Sequence, residues 1–269
     1  MLIFKSTNKL KKVVNFKETV GFVPTMGALH KGHISLIKKC KKKCKKTIVS
    51  IFVNPTQFNN KKDFCSYPKS LSKDMRILKK LNVDYLFLPN ISEIYKAGNK
   101  RKIKISNKDK IMCAKFRPGH FEGVLAVINQ FLLNIKAKYI FFGEKDFQQL
   151  YLINKFIEKK FATRIISCKT IRDKSNLPYS SRIARLSYSE IVIARKVSKI
   201  FKKIFISLKR KFKNNKKILF YLDKIRLVSS EIEYFDIRNK NNLTLKCNRN
   251  NFKIFIAYNI NKIRLIDNV

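Results

Sequence analysis

Short apolar runs alternate with segments of helical spacing over the first two-thirds of the chain. The runs are rich in β-branched and aromatic residues, which is typical of strands: VGFVP (20–24), TIVSIFV (47–53), VDYLFLP (83–89), KYIFFG (138–143) and TRIISC (163–168). Between them, residues 30–44, 70–81, 123–135 and 146–158 have helical patterns. This alternation predicts an α/β fold, with a Rossmann-like parallel sheet flanked by helices.

The pattern changes after about residue 170. A polar loop, RDKSNLPYSSRIARLS, leads into a long basic segment with apolar residues at helical spacing: Ile193, Val197, Ile200, Ile204 and Leu208. A helix of this kind can lie on a membrane, but a stripe that faces the core of a second domain is the favoured interpretation. LTLKC (243–247) and FKIFIAY (252–258) are predicted strands, and the Lys/Asn-rich residues 211–217 a solvated turn. We therefore expect a Rossmann-like domain over residues 1–170 and a smaller α+β C-terminal domain over 171–269.

Composition is that of a folded globule, since the 269 residues are 45% hydrophobic and 12% aromatic. No apolar run approaches the ~18–20 residues that a membrane-spanning helix needs. The first residues, MLIFKSTNKLKKVV, lack the long apolar centre and cleavage site of a signal peptide. We expect a cytoplasmic protein without membrane association.

The formal net charge of +44 has two interpretations. A field of this strength attracts polyanions, which favours a nucleic-acid-binding protein. However, the lysines are spread along the whole chain and accompany many Asn, Ile and Phe residues, as AT-rich coding would produce. A nucleic-acid-binding protein more often concentrates its charge on one face. We favour compositional bias and expect no specific nucleic-acid partner.

The six cysteines form no CxxC pair. Cys40 and Cys44 are one helical turn apart and lack a second pair of ligands nearby, so we favour free thiols over a zinc site.

The segment VPTMGALHKGH (23–33) contains two of the three histidines, His30 and His33, directly after a predicted strand. Ligands of parallel sheets bind beyond the carboxyl ends of strands, where the N–H groups of a helix N-terminus attract anions. Gly27 and Gly32 allow close approach of the backbone to a ligand. A phosphate site is the favoured interpretation, and two surface histidines at a helix entrance are the alternative.

Four further segments repeat this arrangement of small, polar and charged residues. They are SIFVNPTQF (50–58) with Asn54 and Gln57, RPGHFEGV (117–124) with Arg117 and His120, FGEKDFQQL (142–150) with Gly143, Lys145 and Asp146, and YSSRI (179–183). The last combines two hydroxyls with a guanidinium, which suits a phosphate clamp.

The five segments, in this order and spacing, closely resemble the motifs of the pantothenate synthetase (pantoate–β-alanine ligase) family. The ending RLIDN (264–268) is also similar to a usual C-terminal segment of that family. The HxGH element alone would indicate only the wider nucleotidyltransferase superfamily. The resemblance implies ATP-dependent condensation of pantoate with β-alanine, through pantoyl adenylate, to give pantothenate, AMP and pyrophosphate. It also implies ATP as co-substrate with Mg²⁺, a homodimer, and a C-terminal domain that acts as a lid over the nucleotide- and pantoate-binding domain.

The resemblance implies a role for each matching residue. His30, His33, Lys145 and Arg182 are the expected catalytic residues, and we expect all four around one triphosphate-shaped hollow. The expected ATP-binding residues are Pro24, Thr25, Met26, Gly27, His30, Gly32, His33, Gly143, Lys145, Asp146, Ile171, Ser180, Ser181 and Arg182. The expected pantoate- and β-alanine-binding residues are Gln57, Gln149, Asn54, Arg117 and His120.

The chain departs from the family pattern at two places. YPKSLSKD has Lys73 where an acidic residue is common, which leaves Asp74 as the candidate Mg²⁺ ligand. SNLPYSSRI replaces a loop that usually reads like DGLAMSSRN, with Asn176 in place of a glycine and with Pro178 added. These changes are expected to stiffen the clamp loop.

Two alternative functions stay open at this stage. One is another adenylating or nucleotidyl-transferring enzyme on the same scaffold. The other is a nucleic-acid-binding protein derived from such an enzyme, which the near-complete set of phosphate-site residues disfavours.

Overall fold

The structure is a computed structural model that describes residues 1–59, 61–95, 103–212, 215–228 and 231–269. The described strands are β1 Leu2–Phe4, β2 Val20–Thr25, β3 Lys46–Ile51, β4 Tyr85–Phe87, β5 Tyr139–Gly143, β6 Arg164–Cys168, β7 Glu231–Asn239, β8 Phe252–Ile260 and β9 Ile263–Asn268. The described α-helices are α1 Thr7–Val13, α2 Lys31–Lys43, α3 Lys61–Cys65, α4 Leu71–Lys80, α5 Ile91–Ile94, α6 Cys113–Phe116, α7 His120–Asn134, α8 Phe147–Ile157, α9 Tyr188–Arg210 and α10 Asn215–Arg226. Short 3-10 helices cover Pro55–Gln57, Asn107–Asp109, Glu144–Asp146 and Ser181–Arg185.

Contacts divide the chain into two compact units. The first comprises residues 1–144 and 148–169, and the second comprises 145–147 and 170–269.

The first unit contains a six-stranded parallel sheet in the order β1-β4-β3-β2-β5-β6. The chain builds outward from β2 through β3 and β4, then returns to the other side of β2 with β5 and β6. The order therefore reverses between β2 and β5, and ligands of doubly wound sheets bind at such a switch point, beyond the strand ends. The predicted parallel α/β sheet is confirmed.

Both faces of this sheet are buried, which explains why its strands read as continuous apolar runs. Because side chains alternate along a strand, Phe22 belongs to one core cluster and the next residue, Val23, to the cluster on the opposite face. Helix α7 supplies Val124, Ile128 and Phe131 to the first cluster. Helix α2 supplies Ile37 and Cys40 to the second cluster.

The second unit contains the antiparallel sheet β7-β8-β9. Helix α9 packs with this sheet through Val197, Phe201, Ile204 and Leu208, which are all fully buried. The apolar stripe of α9 therefore faces a core, as favoured from the sequence. No helix in the described part of the chain has the length and apolar character to cross a membrane.

Two sequence predictions in this unit are wrong. LTLKC (243–247) forms a loop, with Leu243 at a φ of 58°, and the strand that pairs with β8 on this side is β7. The stretch 211–217 is not simply a turn, because α10 already begins at Asn215, while residues 213 and 214 lie outside the described residues. Helix α10 was not predicted because its sequence is rich in lysine. Among its residues whose burial is described, Ile218, Leu222 and Ile225 are buried.

Candidate active site

The loop between β2 and α2 lies at the switch point of the parallel sheet. Thr25, at the end of β2, donates its hydroxyl to the carbonyl of Ser50 (2.7 Å) and accepts from the N–H of Gly27 (3.2 Å). Gly27 and Ala28 then both have positive φ, 80° and 49°. This reversal turns the chain from the strand into the helix, and it explains the need for glycine at the first of the two positions.

Asp74, on α4, holds the same loop by two hydrogen bonds. One carboxylate oxygen accepts from the N–H of Ala28 and the other from the N–H of Leu29, each at 2.8 Å. The side chain is 1% exposed, so these are charge-assisted bonds shielded from water. Sequence reasoning considered Asp74 only as a metal ligand and missed this contact.

The two histidines begin α2. His30 is the N-cap, and its Nδ1 accepts from the N–H of Gly32 (3.1 Å). His33 Nδ1 accepts from the N–H of His30 (3.4 Å), and the two ring centroids are 4.1 Å apart. Since each Nδ1 is an acceptor, each neutral ring carries its proton on Nε2. Both imidazoles therefore offer an N–H donor at the N-terminus of a 13-residue helix, whose dipole favours anions.

A second group of predicted residues forms a network around the 3-10 helix Pro55–Gln57. Asn54 is 1% exposed, donates to the carbonyl of Gly123 (3.1 Å) and accepts from the hydroxyl of Tyr95 (3.0 Å). The side-chain amide of Gln57 contacts the Sδ of Met26. The structure thus brings Met26 and Gln57 together, at the ends of β2 and β3.

His120, the first residue of α7, supports the same turn together with Arg117, which follows the end of α6. His120 Nε2 is 2.9 Å from the guanidinium of Arg117, which can only donate, so His120 Nδ1 carries the proton and donates to the carbonyl of Gln57 (2.6 Å). Arg117 adds a longer bond to the same carbonyl (3.4 Å). Both ring nitrogens of this buried, neutral histidine have protein partners, which makes it a residue that positions Gln57.

The two adjacent glutamines of α8 differ in their surroundings. Gln148 is buried and donates to the carbonyls of Asp109 (3.2 Å) and Ile111 (2.7 Å). Gln149 is half-buried, one position further around the helix.

Gly143, at the end of β5, has only open space where a Cβ would lie, which leaves room for close approach of a ligand.

In the second unit, Lys145, Ser180 and Arg182 line one small cavity together with Arg264. Ser180 caps the following 3-10 helix by accepting from the N–H of Arg182 (3.3 Å). Lys145 Nζ lies 3.4 Å from Asp146 Oδ1, and the Lys145 side chain is 18% exposed. The guanidinium of Arg264 is paired with the carboxylate of Glu233, so the cavity has a net basic lining through Lys145 and Arg182. Ser181 is buried beside this loop, and Ile171 is 36% exposed at its start.

The loop that leads to Ser180 is folded on itself. Tyr179 donates its N–H to the carbonyl of Ile171 (3.1 Å), and Asn176 turns the chain at a φ of 70°. Burial raises the pKa of Asp173, but bonds from Arg195 and from the N–H groups of Leu177 and Ser175 outweigh it and hold that pKa below its ordinary value.

No three His, Cys, Asp or Glu side chains within the described ranges are placed to hold a metal ion together. Both oxygens of Asp74 accept backbone N–H groups, which gives this carboxylate a structural role in the loop, and its role as a ligand of Mg²⁺ stays a prediction. Cys40 is fully buried, its Sγ lies 3.5 Å from the hydroxyl of Thr47, and burial raises the pKa of its thiol to about 12. This thiol stays protonated at neutral pH and packs as an apolar side chain.

A cavity of about 670 Å³ lies beside the β2–α2 loop in the first unit. Its lining includes Met26, Gly27, Phe52 and Asp74, but not His30, His33, Gln57 or Gln149. This cavity therefore does not by itself define the predicted substrate site.

Comparison with known proteins places the chain in one family. Residues 2–269 match the family model described as pantoate-beta-alanine ligase. The pantothenate synthetase of Francisella tularensis subsp. novicida is 41% identical over 276 residues, which cover 100% of this chain and 97% of that protein.

Solved structures agree with this result. A crystal structure of pantoate-beta-alanine ligase from Francisella tularensis, complexed with beta-gamma ATP and beta-alanine, has a TM-score of 0.86 and 39% identity, and covers 100% of this chain and 97% of the other. Pantothenate synthetase from Thermus thermophilus has a TM-score of 0.88 and 27% identity, with coverage of 100% and 99%. These results agree with the presence of the HKGH, NPTQF and GEKDFQQL segments. The chain belongs to the pantoate–β-alanine ligase family.

Proposed function

We propose that the chain condenses pantoate with β-alanine at the expense of ATP, and that the reaction passes through pantoyl adenylate. The ligase activity follows from the family. The structural feature that supports an ATP site in this chain is the β2–α2 loop at the switch point of the sheet. There, His30 and His33 add two Nε2–H donors to a helix N-terminus.

The chemistry requires alignment more than it requires a strong base. Pantoate's carboxylate is already ionised at neutral pH, so it attacks the α-phosphorus of ATP directly and pyrophosphate leaves. The neutral amine of β-alanine then attacks the acyl carbon, releases one proton to solvent and displaces AMP, which leaves with the carboxylate oxygen that had attacked the phosphorus. The first step therefore needs no catalytic triad.

The protein's main task in the first step is to neutralise charge that builds up on the phosphates. We assign this task to His30, His33, Lys145 and Arg182. The remaining ATP contacts are assigned to Pro24, Thr25, Met26, Gly27, Gly32, Gly143, Asp146, Ile171, Ser180 and Ser181, with Gly143 and Asp146 beside the ribose. The cavity shared by Lys145, Ser180 and Arg182 supports the assignment of those three residues.

Gln57 and Gln149 are assigned to pantoate, because an amide can both donate to and accept from its hydroxyl and carboxylate groups. The contact between Gln57 and Met26 supports this placement. The pantoate side of the site is also assigned to Asn54, Arg117 and His120. Their hydrogen bonds around the 3-10 helix Pro55–Gln57 indicate that they act mainly by positioning Gln57.

Mg²⁺ is proposed as a companion of the ATP phosphates, because this ion is usually held by substrate phosphates with no more than one or two carboxylates. We further propose a homodimer, which the family resemblance implies, a cytoplasmic location, and neither a specific nucleic acid nor a membrane as partner. The second unit is proposed to act as a lid that protects the acyl adenylate from water.

Mass spectrometry of a reaction mixture tests the proposal directly. Purified protein with ATP, Mg²⁺, pantoate and β-alanine should form pantothenate, AMP and pyrophosphate, and pyrophosphate release should require pantoate. Release with amino acids or with nicotinamide mononucleotide in place of pantoate would assign a different adenylating or nucleotidyl-transferring activity. Tight RNA binding at physiological salt, without any pantoate-dependent product, would assign the scaffold to nucleic-acid binding instead.

A further inference from the structure

The segment RLIDN has no part in the reaction as described above, although it matches a usual segment of the family. It lies in β9, at the edge of the antiparallel sheet, and pairs with β8 from Ile263 to Asn268. Its polar residues nevertheless reach the site residues of the second unit, and Asn268 makes the most direct contact. The side-chain Nδ2 of Asn268 donates to the backbone carbonyl of Lys145 at 2.7 Å.

Asn268 is itself held in place by a buried ion pair. Its neighbour Asp267 binds the guanidinium of Arg172 through both carboxylate oxygens, at 2.7 and 2.8 Å, and the Asp267 side chain is 1% exposed. The same guanidinium donates to the carbonyl of Asn268 at 2.8 Å. Arg172 therefore fixes both residues, and a paired fork of this kind adds geometric specificity to its energy.

Arg172 also connects β9 with the loop that precedes Ser180. Its Nη1 donates to the carbonyl of Asn176 at 2.9 Å, and Arg172 forms a backbone bridge with Pro178. Arg172 thus links the turn to Asp267 through one guanidinium. Ser180 and Arg182 follow within four residues of Pro178.

We propose that Asp267 and Asn268 are positioning residues for phosphate chemistry: Asn268 fixes the backbone of Lys145, and Asp267 fixes, through Arg172, the loop that carries Ser180 and Arg182. Neither residue touches the reacting atoms. The inference rests on the proposed function, because it gives Lys145 and Arg182 their role toward ATP.

The physical reason is the sensitivity of phosphoryl chemistry to geometry. A displacement of a charge donor by about 1 Å can lower a rate on the order of 10²-fold. A strand paired along its whole length is a stiff support. The contact with Asn268 engages the backbone of Lys145 and not its ammonium group, which lies 3.4 Å from Asp146 Oδ1.

The primary test is Asn268→Ala, compared with Asn241→Ala, an exposed asparagine in the turn after β7. We expect Asn268→Ala to lower kcat for pantoate-dependent pyrophosphate release by roughly 10- to 100-fold, with KM for pantoate unchanged. Asn241→Ala should behave as the parent protein. Equal rates for Asn268→Ala and the parent would overturn the inference.

A double-mutant cycle with Lys145→Ala separates positioning from a general structural effect. If Asn268 acts through Lys145, adding Asn268→Ala to Lys145→Ala lowers the rate little further. A full additional loss in that background would mean that Asn268 does not act through Lys145. If instead Lys145→Ala alone leaves the rate unchanged, the proposed function of Lys145 fails, and the two failures are distinguishable.

Hydrogen–deuterium exchange gives a readout that does not depend on activity. Peptides that cover residues 144–147 should exchange faster in Asn268→Ala than in Asn241→Ala. Should Asn268→Ala fold poorly, Asn268→Asp keeps the side-chain size, removes the donor and should give the same two effects. Unchanged exchange and rate in a folded variant would contradict the inference.

Asp267→Asn tests the second half of the proposal, with Asp236→Asn as its control. Asp236 also forms an ion pair, with Arg238 on β7, but through one oxygen only and with a side chain that is 25% exposed. Asp267→Asn should slow pyrophosphate release and raise exchange in peptides that cover 172–178, whereas Asp236→Asn should change neither. Equal behaviour of the two variants would reject the role of Asp267.

Discussion

Gly32 shows how one residue serves both the fold and the site. A Cβ at this position would lie 2.9 Å from Cε1 and 3.0 Å from Nδ1 of His30, so a larger residue would displace the ring from the N-terminus of α2. The glycine between the two histidines is therefore required by the ring that caps the helix. The spacing of the HxGH segment thus follows from the hydrogen bonds that join His30, Gly32 and His33.

Lys145 is the residue for which the largest loss of activity is expected. Lys145→Ala should lower the rate of pantoate-dependent pyrophosphate release by roughly 10²–10³-fold, or ~2.7–4 kcal/mol, as removal of a transition-state charge donor typically does. Single-turnover kinetics of the first step measure this, and Lys159→Ala, at an exposed lysine after α8, is the control. An unchanged rate of pyrophosphate release would contradict the assignment.

Asp74 allows a test between two roles of one carboxylate. Asp74→Asn removes a charged acceptor from two backbone N–H groups, and it should destabilise the protein by about 1–3 kcal/mol and slow the reaction. The Mg²⁺ concentration at half-maximal rate should stay unchanged, because Asp74 holds the loop and not the metal. Urea unfolding and Mg²⁺ titration of activity provide the two measurements.

The control for this experiment is Asp223→Asn, which alters an exposed ion pair on α10. It should leave both stability and activity near those of the parent. A large rise in the Mg²⁺ requirement of Asp74→Asn alone would show that this carboxylate binds the metal.

Among the secondary-structure elements, five of the six strands of the parallel sheet were predicted from the sequence, as were α2, α4, α7, α8 and α9, whereas the edge strand β1 was not. Their apolar patterns arise from burial, on both faces for the strands and along one stripe for α9. LTLKC alternates like a strand but forms a loop, and β9 was recognised only as a motif. These errors have a common cause, since strand pairing in a small antiparallel sheet depends on distant partners that local pattern does not reveal.

The site was predictable to a similar extent. Motif spacing selected His30, His33, Gln57 and Lys145 as candidates, because the types of these side chains indicate their chemistry, and their roles stay predictions. Supporting residues such as Tyr95 and Asn268 were not identified, because their roles arise from contacts between distant parts of the chain.

The turn before Ser180 depends on the backbone conformation of Asn176. Asn176 has a φ of 70°, a conformation that asparagine tolerates better than alanine, and its buried Nδ2 has no hydrogen-bond partner among the described residues. Asn176→Ala should therefore destabilise the protein by about 1 kcal/mol through the backbone alone. Asn176→Gly, which suits this φ, is the matched control and should not lower the Tm. Equal losses in both variants would indicate that the side chain matters.

At the scale of the whole molecule, the charge of +44 and the enzymatic site are separable features. Most of the lysines whose burial is described are exposed and are spread along both units, whereas the cations assigned to phosphate lie at specific loop ends. Net charge bears on solubility and on nonspecific attraction of polyanions, and not on the fold. The family match over residues 2–269 shows that a very basic composition is compatible with this fold.

The claim on which the account depends most is that pantoate's own carboxylate attacks the α-phosphorus. Pantoate labelled with ¹⁸O in both carboxylate oxygens tests this claim in one measurement, by mass spectrometry of the nucleotide product. The proposed mechanism should give AMP that carries one ¹⁸O atom and pantothenate that retains the other. Formation of ADP, or of AMP without the label, would contradict it.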